Sequence, residues 1–148
     1  MKRSQINSSI ETAMEVFNKL GLNLPPFAFW TADEWDKKGK EVDEIRKAGI
    51  GWDVTDFGQN NFELIGRMLF TLRNAYRQED GNFTKVYAEK FILDPPNQHA
   101  PLHFHYSKME DIINRAGGNI LIKFIRELLT GSVLTKISQF KLMVRLAN

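Results

Sequence analysis

The stretch HFHYSKMEDIINRAGG, residues 103–118, decides how the rest of the chain is read. It sets His103, His105 and Glu110, groups able to bind a single divalent metal ion, close together and follows them with Gly117. On a strand, residues i and i+2 project from the same face, so His103 and His105 can both reach one ion. Phe104 between them would point to the other face, into apolar packing. Glu110 falls out of that register, and a turn around Tyr106-Ser107 with a returning strand would bring its carboxylate back opposite the imidazoles. Two His and one carboxylate leave coordination positions open, as a catalytic metal site requires. The plainer alternative makes each His an ordinary barrel or surface residue and Glu110 part of a solvated face. A lone His would favour that alternative; the constellation favours metal.

Upstream of this run the pattern is one of short strands. Gly51-Trp-Asp-Val-Thr-Asp-Phe-Gly58 reads as a strand bounded by glycines, Met68–Leu72 as a second and Val86–Leu93 as a third. In the third, Val86, Ala88, Lys90 and Ile92 share one face, an odd place for a solvated lysine, so Lys90 is a candidate pocket residue. Asp94-Pro-Pro-Asn97 ends that strand as a turn. Pro101–His105, Glu110–Asn114 and Asn119–Phe124 read as strands four to six. Many short strands broken by Gly and Pro turns, after helical N-terminal segments, predict a small β-barrel or sandwich.

The N-terminal segment reads as helix. Ser4 is a candidate N-cap and Gly21 a stop signal, with Ile6, Ile10, Ala13, Phe17 and Leu20 as the apolar stripe. Leu24-Pro25-Pro26-Phe27 reads as extended, and Thr31 with Glu34 as a capping box for a second helix running to about Lys47. Trp30 and Trp35 flank that start. A sugar platform is one role for them, but packing of helix against barrel is the more ordinary use.

Composition bounds the function. The 148 residues, 43% hydrophobic and 26% charged, make one soluble globular domain at most. No apolar run approaches the ~18 residues of a membrane span, and the Met1-Lys2-Arg3 start leads into no apolar stretch with a cleavage site, so neither a membrane nor secretion is expected. The absence of Cys rules out thiolate metal sites and suits a cytoplasmic location. The net charge of +2 is unevenly placed, with Arg126, Lys136, Lys141 and Arg145 against only Glu127 in the tail, so the rest has a slight acid excess. That is no basic footprint, and nucleic acid is not expected as a partner.

The metal run resembles the first motif of the cupin superfamily, the double-sheet jelly-roll barrels. More narrowly, Leu24-Pro-Pro-Phe-Ala-Phe-Trp30, Gly51–Gly58, Phe70-Thr-Leu-Arg-Asn74, Tyr87-Ala-Glu-Lys90 and Lys108-Met-Glu-Asp-Ile-Ile-Asn-Arg115 resemble the cupin-type D-lyxose ketol-isomerases, over roughly residues 1 to 123. The resemblance implies a mainly β cupin jelly-roll barrel with N-terminal helices, and an aldose-ketose isomerase interconverting D-lyxose and D-xylulose, with D-mannose and D-fructose as a second pair. It also implies a divalent metal, usually Mn2+, a small sugar as substrate, and a homodimer. His103, His105 and Glu110 match the family's first three ligands. The chemistry agrees, because moving hydrogen between C1 and C2 of an open-chain sugar needs a Lewis acid on its oxygens and a nearby acid/base, whether by an enediol or a hydride shift. Lys108, two residues before Glu110, is the first candidate for proton transfer or for steadying oxyanion charge; a solvent-facing turn lysine is its plain alternative. Lys90 is the candidate substrate-binding residue.

The departures are as informative. Asn97 stands where cupins have the motif's leading Gly, a mild change because Asn tolerates a left-handed turn. His99 reads as a loop residue. The second cupin motif, with its fourth ligand, is missing. After Phe124 the strand pattern gives way, and back-translation with suitable synonymous codons and one base restored there gives a polar turn, an alternating strand and an Asp-Gly hairpin signal. The chain therefore divides into a helical segment 1–48, the first part of a barrel 49–124 and an aberrant tail 125–148, expected to be read out of frame and to leave the barrel incomplete. The alternative for the tail is a divergent helix, with Phe124, Leu128, Leu129 and Leu134 packing on the sheet. The alternative for the whole is a non-catalytic metal- or sugar-binding cupin fragment or inactive product. A dioxygenase-type cupin, using iron, is a weaker third reading.

Overall fold

A computed structural model describes residues 1–103, 109–123, 126–127 and 133–134. The chain forms two units, Met1–His103 and Phe104–Asn148. The first holds helices α1 (Arg3–Lys19), α2 (Ala32–Asp36) and α3 (Asp43–Ala48), then strands β1 (Gly51–Thr55), β2 (Arg67–Arg73) and β3 (Glu89–Leu93). The strands make an antiparallel sheet in the order β1-β2-β3. No helix among the described residues is long and apolar enough to cross a membrane.

α1 begins one residue before the expected Ser4, because the Lys2 backbone N–H, not a Ser hydroxyl, is capped, by the Gln5 side chain at 2.9 Å. It stops as expected. Gly21 takes φ +67° and lets the Leu22 N–H bond back to the Phe17 carbonyl at 2.9 Å. Only Ala13 and Phe17 of its stripe are fully buried. Phe17 lies nearly parallel to Trp52 of β1, with centroids 6.1 Å apart, and meets Phe91 of β3 edge-on at 5.6 Å. One side chain thus seats the helix across both outer strands.

The register explains which sheet face is covered. Trp52, Phe70 and Phe91 stand in one row, Val54, Met68 and Leu93 in the next. These residues, with Ala13, Phe17, Ala28 and Leu24, form the core. The opposite face carries Gly51, Thr71 and Lys90 in one row and Asp53, Leu69 and Ile92 in another.

Two expectations about the connecting region change. Residues 26–29 form a 3-10 turn instead of an extended segment, started by Pro26, whose fixed φ suits a first helical turn. The Thr31–Glu34 capping box forms, with Glu34 Oε2 accepting from the Thr31 N–H at 2.7 Å, but the helix it starts ends at Asp36. A 3-10 turn at Lys40–Val42 and then α3 replace its continuation, with the Arg46 guanidinium donating to the carbonyls of Trp35, Lys38 and Gly39. Trp30 and Trp35 pack against each other and on Phe27, which itself stacks on Phe70 in the core.

At the end of β1, Asp56 accepts from the Gly58 N–H at 3.0 Å and lies 3.5 Å from the Met1 ammonium. Burial would push this carboxyl up, but the N–H and the ammonium outweigh it and hold it below the usual carboxylate range.

The third strand is shorter than expected, since Val86, Tyr87 and Ala88 precede it and lie exposed. A register shift between Thr71 and Arg73 ends the regular ladder there. Of the expected strands Pro101–His105, Glu110–Asn114 and Asn119–Phe124, the described residues 101–103, 110–114 and 119–123 are not strand, because alternating side chains make a strand only where a neighbouring backbone takes up the ladder hydrogen bonds. In the second unit, β4 (Arg126–Glu127) pairs antiparallel with β5 (Val133–Leu134), so these four positions are strand and not the divergent helix.

Candidate functional site

The approach to His103 is fixed by two loops that hold each other. Asn97 adopts φ +66°, the left-handed turn its side chain tolerates, and the Gln98 N–H returns to the Pro95 carbonyl at 3.1 Å. His99 then bonds through its backbone to the β1–β2 connection: its N–H donates to the Leu64 carbonyl at 2.9 Å, and its carbonyl accepts from the Gly66 N–H at 3.2 Å. Beside it the Gln98 amide donates to the Phe62 carbonyl. Gly66 sits inside this clamp with no room for a side chain; a Cβ there would lie 2.6 Å from the Phe62 oxygen. No periodicity signals such a contact in the sequence, because it joins two loops through backbone atoms and one amide.

His103 follows four residues later and is exposed. Its Nδ1 lies 2.9 Å from the Pro101 carbonyl oxygen. A carbonyl can only accept, so Nδ1 donates in this contact, and the neutral form of the ring has its lone pair on Nε2. A backbone carbonyl holding the other ring nitrogen is the usual outer support of a metal-binding His, which fixes both tautomer and ring orientation.

Of the other predicted residues, Glu110 belongs to the second unit and is exposed, and His105 and Lys108 lie outside the described residues. The described residues include no group of three His, Cys, Asp or Glu placed to hold an ion. Two imidazoles and a carboxylate are nevertheless a donor set that suits a divalent cation such as Mn2+. Lys90 is on β3, exposed and opposite Thr71, on the face away from the core. Its expected company changes: Ile92 does share its face, whereas Val86 and Ala88 lie ahead of the strand.

One cluster beside Lys90 escaped the sequence reading. Arg73 donates from Nη1 to the Tyr87 hydroxyl at 2.6 Å, and its Nε lies 3.5 Å from Glu89 Oε2. At the far end of β3, Arg67 Nε is 3.3 Å from Asp94 Oδ1, an ion pair without a hydrogen bond at Nε. Burial raises the Asp94 carboxyl above its ordinary value, and the Arg67 charge only partly opposes it.

Comparison with known proteins gives the geometry a family. A model of the D-lyxose isomerase family matches residues 1–143. The D-lyxose/D-mannose isomerase of Escherichia coli O157:H7 is 41% identical over 124 residues, covering 83% of this chain and 54% of that protein. The protein of the same name from Serratia proteamaculans is 38% identical over 125 residues, again 83% of this chain and 54% of its own. The chain spans about half the length of the curated relatives it matches.

Proposed function

The chain belongs to the D-lyxose isomerase family, and we propose that it serves a metal-dependent aldose-ketose isomerase interconverting D-lyxose with D-xylulose and D-mannose with D-fructose. The observation that carries this reading is the identity to two proteins named for both sugars, spread over 83% of the chain. We take the antiparallel sheet as part of a cupin jelly-roll barrel, and the protein as a cytoplasmic homodimer.

In this reading His103, His105 and Glu110 hold the ion, with the Pro101 carbonyl steadying the His103 ring. Bound there, Mn2+ would supply Lewis acidity toward the sugar's oxygens. The reaction moves one hydrogen from C2 to C1 and one from O2 to O1 of the open-chain sugar. Lys108 is placed by sequence to carry a proton or to steady the oxyanion that develops between those oxygens. Lys90, with an exposed ammonium on the open sheet face, donates hydrogen bonds to a sugar hydroxyl and orients it.

The test is an assay of purified protein with D-lyxose, with and without Mn2+, alongside calorimetry of Mn2+ binding. Turnover that EDTA removes and Mn2+ restores is the expected result. Mn2+ binding without turnover would favour the non-catalytic fragment, and folded protein that neither binds Mn2+ nor turns over D-lyxose would sink both readings.

A further inference from the structure

His99 is pinned through both of its backbone polar groups. Its N–H donates to the Leu64 carbonyl at 2.9 Å and its carbonyl accepts from the Gly66 N–H at 3.2 Å, a parallel bridge to Ile65, while the Gln98 amide donates to the Phe62 carbonyl. Ala100 alone lies between His99 and Pro101, whose carbonyl oxygen is 2.9 Å from Nδ1 of His103. Ala100 and Pro101 are half-buried, whereas Leu102, between that carbonyl and His103, is 65% exposed and packs too little to steer the ring.

A flexible pair of residues at 100 and 101 would let the carbonyl swing even with His99 fixed. Proline removes much of that freedom, because its ring locks its own φ near about −65° and biases the preceding residue to extended backbone. The direction of the Pro101 carbonyl is then set largely by the clamp at His99. The carbonyl in turn sets which ring nitrogen donates and how the imidazole lies.

We propose that Pro101 is a positioning residue: its ring stiffens the link between the Gln98–His99 clamp and the carbonyl that holds His103, so that the imidazole is oriented before an ion arrives. The orientation of the ring stands on this geometry; its use in metal binding rests on His103 being a ligand. A ligand already oriented loses less freedom on binding, so the gain appears as affinity.

The test uses the full chain with Pro101→Ala, which keeps the carbonyl and removes only the ring, and Pro101→Gly, which loosens the link further. Nitrogen NMR of the metal-free protein at about pH 8.5, well above the ordinary imidazole value, reads the His103 tautomer; His103→Gln assigns its signals. Wild type should show mainly the Nδ1–H form, and the Nε2–H share should rise in Pro101→Ala and rise again in Pro101→Gly. Mn2+ affinity by calorimetry should fall about two- to five-fold in Pro101→Ala, the scale of releasing one restricted residue. Gln98→Leu, which leaves Pro101 and loosens the clamp, should move both readouts the same way and serves if Pro101→Ala fails to fold. Combined with Pro101→Gly its loss should be smaller than alone, because a slack link no longer transmits the clamp. Unchanged His103 signals in Pro101→Ala, shifted signals with wild-type Mn2+ affinity, or independent losses in the double variant overturn the proposal. If the signals follow the pattern and wild-type protein does not bind Mn2+, the ligand role of His103 fails while the positioning by Pro101 holds.

Discussion

The indole Nε1 of Trp52 donates to the Ala28 carbonyl at 2.8 Å, tying β1 to the 3-10 turn that follows the Leu24-Pro-Pro segment. The same ring stacks on Phe17 and meets Phe70 at 4.9 Å, so one side chain serves both the aromatic core and a backbone oxygen. Trp52→Phe keeps an aromatic ring but leaves the Ala28 carbonyl without this donor. A loss of about 1–3 kcal/mol is expected in urea unfolding, and a midpoint unchanged from wild type would show that the bond contributes nothing.

Gly66 allows the two loops before His103 to meet. Gly66→Ala would put a Cβ 2.6 Å from the Phe62 oxygen and 2.8 Å from the Gln98 amide nitrogen. The loops must separate, at a cost of about 1–3 kcal/mol, the usual range for overpacking. Hydrogen exchange should show faster exchange of the His99 and Gly66 amides, which lie in the clamp; unchanged protection there would contradict it.

Asp94 gives a pH dependence with a definite sign. Its folded-state value is raised by burial, so the folded protein keeps this proton to higher pH than the unfolded chain does. Its contribution to stability is therefore full below the ordinary carboxylate value and is lost as pH rises through the raised one. Thermal unfolding of wild type and Asp94→Asn between about pH 3 and pH 7 should show wild type losing ground to the variant as pH rises. The opposite trend would mean that the Arg67 charge outweighs burial.

His103 is exposed, so its removal should cost the fold little. His103→Ala is expected to change unfolding free energy by no more than about 0.5 kcal/mol, as for surface substitutions. Its Mn2+ affinity should fall by more than about ten-fold, since even losing an outer support of a metal ligand costs that much. Calorimetry of the two proteins checks it, and equal affinity would remove His103 from the ligand set.

Residue pattern alone was enough where the cause of structure is local. Gly21 ended α1 because only a left-handed residue lets the chain turn back on Phe17, and Thr31 with Glu34 capped α2 because both partners lie within one turn. The strands around Trp52 and Phe70 were legible from their alternation. The expected strands at 110–114 and 119–123 were not strands, since alternation describes a face and says nothing of whether a neighbouring backbone is there to bond.

For the candidate site, sequence spacing named His103, His105, Glu110, Lys90 and Lys108, because metal ligands and a lysine's charge are properties of residue type and short separation. Tertiary structure added what depends on distant segments meeting, Gln98 and His99 against 62–66 and Arg73 beside Glu89, and the local angle that sets the Pro101 carbonyl on the His103 ring. Sequence therefore determined the family, the stop of α1, the cap of α2 and the chemical inventory. The orientation of His103 and the environment of Lys90 were decided only by folding, because hydrogen bonds and ion pairs depend on distances and angles that sequence separation does not encode.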